Sequence, residues 1–367
     1  MNAAKTLTKI FHRQIHPSQR GPLHGVPVGM KDGFQTAGIA TSFGSIACAD
    51  YVPSEDATLV RKLKEAGVII VGKTTMPDWG TNFFSTSSRS QISSNPYDLS
   101  RDTGGSSSGS GSAVAANTAI FSIGSDTGGS IRLPSSFKGL VGVRMTPGRI
   151  SRHGMSPLVP SQDSPGPLAH TVKDCARVLD VIVGFDQYDP WSSVNVHIPL
   201  QKSFTQAIES PSLRGRRLGV ARHLFGSHPG IRALMDEALD DFSRAGAELI
   251  DVTFPSVEHY LNSTIHYQES KALINAFFAE REQLSHLKLE EISYHELLGL
   301  LKDDILKAPQ DPSDSPALCR ALLEVPHVQN AVASPFATYE LDTIVYPTAQ
   351  ALPPKHADIF SEKYAPA

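Results

Sequence analysis

Residues 68–73 read VIIVGK, an apolar, β-branched run that predicts a strand buried on both faces. The segment before it, SEDATLVRKLKEAG, carries Leu59, Val60 and Leu63 at helical spacing, with Ser54 or Asp56 to cap its start and Gly67 to stop it. Before that, VPVGMKDGF (Val26–Phe34) reads as a short strand ending in Lys31-Asp32-Gly33. Strand, helix and strand in immediate succession predict an α/β layer, a sheet with helices packed against it. The chain has 367 residues, enough for one large or two ordinary domains. No internal repeat or linker divides it, so one domain over residues 1–367 is expected.

The stretch from Thr74 to Ser112 is polar and lacks apolar periodicity; a structureless segment of that length inside a compact domain is either functional or disordered. AVAANTAIFSIGSD then predicts a helix of small residues followed by a strand into Asp126. GLVGVRMTPGRIS reads as strand then turn, and LAHTVKDCARVLDVIVG as an amphipathic helix ended by Gly184. Beyond Ile208, RRLGVAR predicts a strand, HPGIRALMDEALDDFSRAGAELIDVTFP a helix and a strand, and LDTIVYPTA a late strand. The region between, from about Val257 to Leu323, reads as helical and is expected to cover the sheet.

A net charge of −4 gives no reason to expect nucleic acid or an anionic membrane as partner, and no apolar run reaches membrane-spanning length. Cys48, Cys175 and Cys319 are far apart and form neither a disulfide framework nor a metal-ligand spacing, which points to a reducing, cytoplasmic setting. Lys5, Lys9, Arg13, Arg20 and Lys31 precede the first acid, Asp32; an organellar signal is the alternative, but the Ser and Arg enrichment of transit peptides is missing and a helix of the fold is the plainer reading.

Unusual chemistry concentrates in three segments: Lys31 in PVGMKD, Ser106 in DTGGSSSGSGSAVAA, and Ser130 in GSDTGGSIRLPSSFKG. Singly, each has a bland reading: a solvated lysine, a Ser/Gly loop, a serine near an arginine. Together, GPLHGVPVGMKD, NPYDLSRDTGGSSSGSGSAVAAN, GSDTGGSIRLPSSFKGLVGVRMTPGRISRHGM and QDSPGPLAHTVKD, in that order, resemble the amidase signature family. The resemblance is close from about Gly21 to Asp180 and thinner to LDTIVYPTA.

The resemblance implies a mixed twisted central β-sheet flanked by α-helices, with a catalytic core at about 21–185 and a covering helical region at about 255–325. It implies hydrolysis of a small-molecule amide by a serine–cis-serine–lysine triad, with Ser130 as nucleophile, Ser106 at a cis peptide bond and Lys31 as base. The backbone N–H groups of Thr127, Gly128, Gly129 and Ser130 would form the oxyanion hole. Asp126 and Arg132 would hold the loop rather than react, an ordinary surface ion pair being the plainer alternative; Asp163 would be structural or line the pocket. No cofactor and no metal is implied, and the oligomeric state stays open, a homodimer included. Pocket walls are expected near Gly80–Phe84 and in Val257–Phe278.

The residue types suit that chemistry. A serine hydroxyl needs a base to become a nucleophile. Lysine serves only when neutral; from a reference pKa of ~10.4 this takes a depression of ~3 units, or ~4 kcal/mol, which burial supplies. The apolar lead-in Val26, Val28 and Met30 supports a buried Lys31. Gly104 and Gly105 permit an unusual backbone before Ser106, and Gly128 and Gly129 allow consecutive N–H groups to converge on an anion.

Rival readings are weaker. Gly105-Ser106-Ser107-Ser108-Gly109 fits the nucleophile-elbow pattern with Ser107 as nucleophile, but DLSRDTG makes a poor strand and no later histidine stands out as its partner. No phosphate-loop ending is present, and His153 and His170 are isolated. Family members carry helices before the lysine and further strands after the late D-x-x-x-x-P-T; about thirty residues precede Lys31 here and a short Pro-containing tail follows Thr348. A fold shortened at both ends is therefore expected, and a truncated, non-catalytic member, acting as pseudoenzyme or binding module, is the alternative function.

Overall fold

The computed structural model describes residues 20–254, 268–292 and 302–359. The basic residues Lys5, Lys9 and Arg13 lie outside this set, as does the first half, 257–267, of the pocket candidate Val257–Phe278.

Strand β1 (Pro27–Lys31) pairs in parallel with β2 (Ile69–Thr74) on one side and β5 (Phe121–Asp126) on the other. Between β1 and β2 runs α1 (Thr58–Glu65), and β3 (Ser94–Asn95) with β4 (Asp98–Asp102) forms a separate antiparallel hairpin ahead of α2 (Ser108–Ala115). After β5 come α3 (Arg132–Ser136), β6 (Val141–Gly142), β7 (Ser164–Ala169) and α4 (Val172–Ile182). β7 runs antiparallel to β5 and to β6, so the five-stranded sheet, in the order β2-β1-β5-β7-β6, is mixed.

Side chains alternate between the two faces of a strand. On one face Val28 and Met30 of β1 and Phe121 and Ile123 of β5 meet Leu59, Val60 and Leu63 of α1 and Cys175, Val178, Leu179 and Ile182 of α4 in an apolar core. On the other lies α2, whose small residues permit close approach: a Cβ on Gly109 would stand 2.4 Å from Thr75 N.

Several expectations need correction. β2 is an edge strand rather than one buried on both faces, and Val71 is 44% exposed. Neither Ser54 nor Asp56 caps α1; Asp56 instead accepts from Ala37 N at 2.8 Å and pairs with Lys64 Nζ at 2.7 Å. The polar stretch 74–112 is ordered by buried carboxylates: Asp78 accepts from Ser88 N at 2.8 Å and Asp102 from Ser85 Oγ at 2.6 Å. β7 escapes sequence reading because Pro165 and Pro167 disguise it, yet all six of its residues are buried.

The later strands β8 (Arg217–Val220), β9 (Glu248–Asp251) and β10 (Thr343–Val345) form a second, parallel sheet in the order β10-β8-β9, with α5 (Pro229–Arg244) between β8 and β9. In the helical region, α6 (Ser270–Ala279) inserts Ile274, Phe277 and Phe278 beside Phe43, Trp79, Leu158 and Val159, while α7 (Lys302–Lys307) adds Ile305. α8 (Pro316–Tyr339) runs past the expected limit at Leu323. Among the described residues no helix is long and apolar enough to cross a membrane, and no group of three or more metal-binding side chains occurs.

Candidate active site

Lys31 ends β1 on the face opposite Met30, turned toward α2, and is fully buried. Its Nζ donates to Ser106 Oγ at 2.7 Å, to Ser125 Oγ at 2.9 Å and to Ser125 O at 3.3 Å. Burial pushes the amine down to about 7, against the upward pull of Asp126 and Asp163. What shields it is therefore not the apolar lead-in, whose side chains face the other core, but α2 and the serines it touches.

Ser106 lies on the tight loop between β4 and α2. Asp102 accepts from Gly104 N at 2.6 Å, and Gly105 N donates to Phe83 O at 2.6 Å. Gly104 has φ +72, and the Gly105–Ser106 peptide is cis. A Cβ on Gly105 would lie 2.8 Å from Phe84 O and 2.9 Å from Asn82 O, both rigid backbone atoms. Gly105→Ala is therefore expected to cost about 1–3 kcal/mol of stability in urea unfolding, as overpacking does, and to depress any Ser106-dependent reaction beyond that.

Ser130 follows β5 and opens into α3; it is 5% exposed, and its carbonyl accepts from Ser107 N at 3.0 Å, which ties the two serine loops together. The loop is organised by Asp126, which is fully buried. Asp126 accepts from Gly129 N at 2.8 Å, Ile131 N at 2.9 Å, Arg132 Nε at 3.1 Å and Arg144 Nη1 at 3.0 Å. Burial pushes its carboxyl up, but Arg132, Ile131 N–H and Arg144 more than offset this and hold it below its ordinary value. This is no ordinary surface ion pair: it fixes the backbone on both sides of Ser130.

Gly129 departs from expectation. Its N–H, expected to face an oxyanion, donates to Asp126 instead, because the carboxylate sits directly under the turn. Thr127, Gly128 and Ser130 remain as candidate oxyanion donors. Thr127 Oγ1 donates to Asp163 Oδ1 at 2.5 Å, and Asp163 also accepts from Leu158 N at 2.9 Å and Val159 N at 3.0 Å. Phe83 forms a wall beside the turn, its ring 3.6 Å from where a Cβ on Gly128 would be.

Of the two objections expected against the elbow reading, the one about the strand does not hold. DLSRD does form a strand, β4. Ser107, however, has no exposed surface, and its hydroxyl is engaged with Ser125, donating to the carbonyl at 3.1 Å and accepting from the N–H at 3.2 Å. His170 pairs with Val114 O at 3.0 Å, and His153 with Thr58 Oγ1 at 3.4 Å. A cavity of about 270 Å³ lined by Asp32, Ser42, Lys73, Met76 and Arg89 includes none of Lys31, Ser106 and Ser130.

Sequence reasoning misses Ser125 and Arg144. Ser125 follows from the β1–β5 register, in which Met30 stands opposite Ile123, and that pairing is invisible in the sequence. Arg144 reaches Asp126 from GLVGVRMTPGRIS, a segment read only as strand then turn.

A family model described as Amidase matches residues 2–366. The chain is 41% identical over 243 residues to a glutamyl-tRNA(Gln) amidotransferase subunit from Moorella thermoacetica, a match covering 66% of this chain and 49% of that protein. It is 37% identical over 284 residues to the protein of the same name from Koribacter versatilis, covering 77% of this chain and 58% of that one. The chain thus spans about half the length of the curated relatives it matches. Among solved structures, the native peptide amidase of Stenotrophomonas maltophilia superimposes with a TM-score of 0.81 at 31% identity, covering 97% of this chain and 77% of that one. The corresponding glutamyl-tRNA(Gln) amidotransferase subunit from Thermotoga maritima gives 0.75 at 26% identity, covering 94% and 72%.

Proposed function

Because the chain belongs to the amidase signature family, matched over residues 2–366, we propose that it hydrolyses the C–N bond of a linear carboxamide, with Ser130 as nucleophile, Ser106 as proton relay and Lys31 as base. The observation that carries this reading is the fully buried Lys31 amine at 2.7 Å from Ser106 Oγ.

Neutral Lys31 accepts the Ser106 proton while Ser106 Oγ takes the proton of Ser130, whose oxygen bonds to the amide carbon. Charge that collects on the carbonyl oxygen meets the N–H groups of Thr127, Gly128 and Ser130; each such donor typically lowers the barrier by ~3 kcal/mol. The C–N bond then breaks, the leaving amine takes a proton back from the Lys31 ammonium through Ser106, and an acyl-Ser130 remains. Water attacks that ester, passes its proton along the same route, and releases the carboxylic acid with Ser130 restored. The scheme calls on no cofactor or metal.

Relatives named as a peptide amidase and as subunits of a glutamyl-tRNA(Gln) amidotransferase support an amide substrate class. Phe83, beside Gly128, supports an apolar group on the substrate. An alkyl fluorophosphonate followed by mass spectrometry tests the site: a label on Ser130, with ammonia or amine released from simple aryl and peptidyl amides, is the expected result. No label and no release would instead favour a binding protein that keeps the fold without turnover.

A further inference from the structure

Lys138 is 1% exposed, sits just past α3, and takes part in no step above. Its Nζ donates to both the carbonyl and the hydroxyl of Thr103, three residues ahead of Ser106. Its stem lies so close to α2 that a Cβ on Gly111 would stand 2.4 Å from Lys138 Cε. Thr103 Oγ1 is bonded in turn to Ser112 Oγ of α2 at 2.7 Å, and Lys138 N donates to Ser135 O of α3 at 3.1 Å. One side chain thus joins the helix that follows Ser130 to the loop that carries Ser106, passing close against α2.

We propose that Lys138 is a positioning residue that fixes Ser106 relative to Ser130 by gripping Thr103; this rests on the function proposed above. A lysine is the side chain for the task because the distance across α2 needs a long, thin stem and Thr103 offers two acceptors. Burial pushes this amine down to about 7 against the pull of Asp102 on β4. α2 carries no ionisable residue, and Arg132 of α3 is held by Asp126. Two N–H groups remain in the neutral amine, enough for both Thr103 acceptors, so the grip holds on either side of neutrality.

The test compares Lys138→Met and Lys138→Gln with the parent by fluorophosphonate labelling across pH and by amide hydrogen exchange. In Lys138→Met, labelling of Ser130 is expected to fall about tenfold or more at every pH, as small misplacements do, with the pH midpoint unmoved. Lys138→Gln, which keeps two N–H donors, should recover part of that loss, and it gives the readout if the Met variant does not fold. Exchange of amides 103–107 should quicken while the β1 and β5 amides stay protected. Labelling within about twofold of the parent overturns the proposal. So does a midpoint displaced by about one unit, which would put Lys138 on the proton route. A parent that is never labelled refutes the catalytic reading alone, and the exchange of 103–107 still decides the brace: unchanged protection overturns it.

Discussion

Ser130→Ala is expected to abolish fluorophosphonate labelling and to cut amide turnover by about 10⁴- to 10⁶-fold, the range seen when a serine nucleophile is removed from an intact triad. The loss should come without a loss of fold. The Ser130 backbone is held by Asp126 acting on Gly129 and Ile131 and by Ser107 N, none of which uses the Ser130 hydroxyl. Thermal unfolding of the variant should match the parent within a few degrees, about 1 kcal/mol or less. Ser107→Ala provides the contrast: among the described residues its hydroxyl bonds with Ser125, so Ser130 labelling should survive. Labelling that persists in Ser130→Ala, or that moves to Ser107, would sink the assignment.

Lys31→Met carries the second large effect. The parent rate should climb as pH rises through about 7, where the buried amine loses its proton, and then level off. The variant should be slower by about 10²- to 10⁴-fold and should lack that rise. The variant's stability should move opposite to its rate. The folded-state pKa lies below that of the unfolded chain, so between about 7 and the ordinary lysine value the unfolded chain holds the extra proton. The site's contribution to stability therefore rises with pH across that window and is least favourable below it. Replacing the amine by a thioether removes this penalty, and Lys31→Met should unfold at a higher temperature than the parent at pH 6. A variant that keeps the parent's pH profile would refute Lys31 as base.

Much of this is legible from residues. Strand, helix and strand around α1 follow from Leu59, Val60 and Leu63 and from the β-branched run at 68–73. Lys31, Ser106 and Ser130 stand out through the motifs around them. What stays hidden depends on pairing. The exposure of Val71 follows from β2 being an edge, which no local pattern reveals. The strand β7 is masked by Pro165 and Pro167, residues depleted in strands, which here lie along β5. Lys31 is buried as expected but for a different reason: Val28 and Met30 belong to the opposite face, and the shield is a helix of small, polar-looking residues. The Gly129 amide cannot be deducted in advance because a carboxylate three residues earlier can bind the turn or leave it alone, and only the folded loop decides.

The two faces of β1 have a bearing on how this chain matures. Its partnership with β2 steps by one residue between Val28 and Gly29, after which Lys31 stands opposite Thr74. A slip of one position would turn Met30 toward the serines and drive Lys31 into the α1–α4 core, exchanging every side chain between faces. Correct docking of five residues thus decides at once whether the interior is oily and whether an amine meets a hydroxyl. If Lys31 is the base proposed above, a misassembled copy would be chemically silent as well as unstable, so one docking event would settle both fold and reactivity.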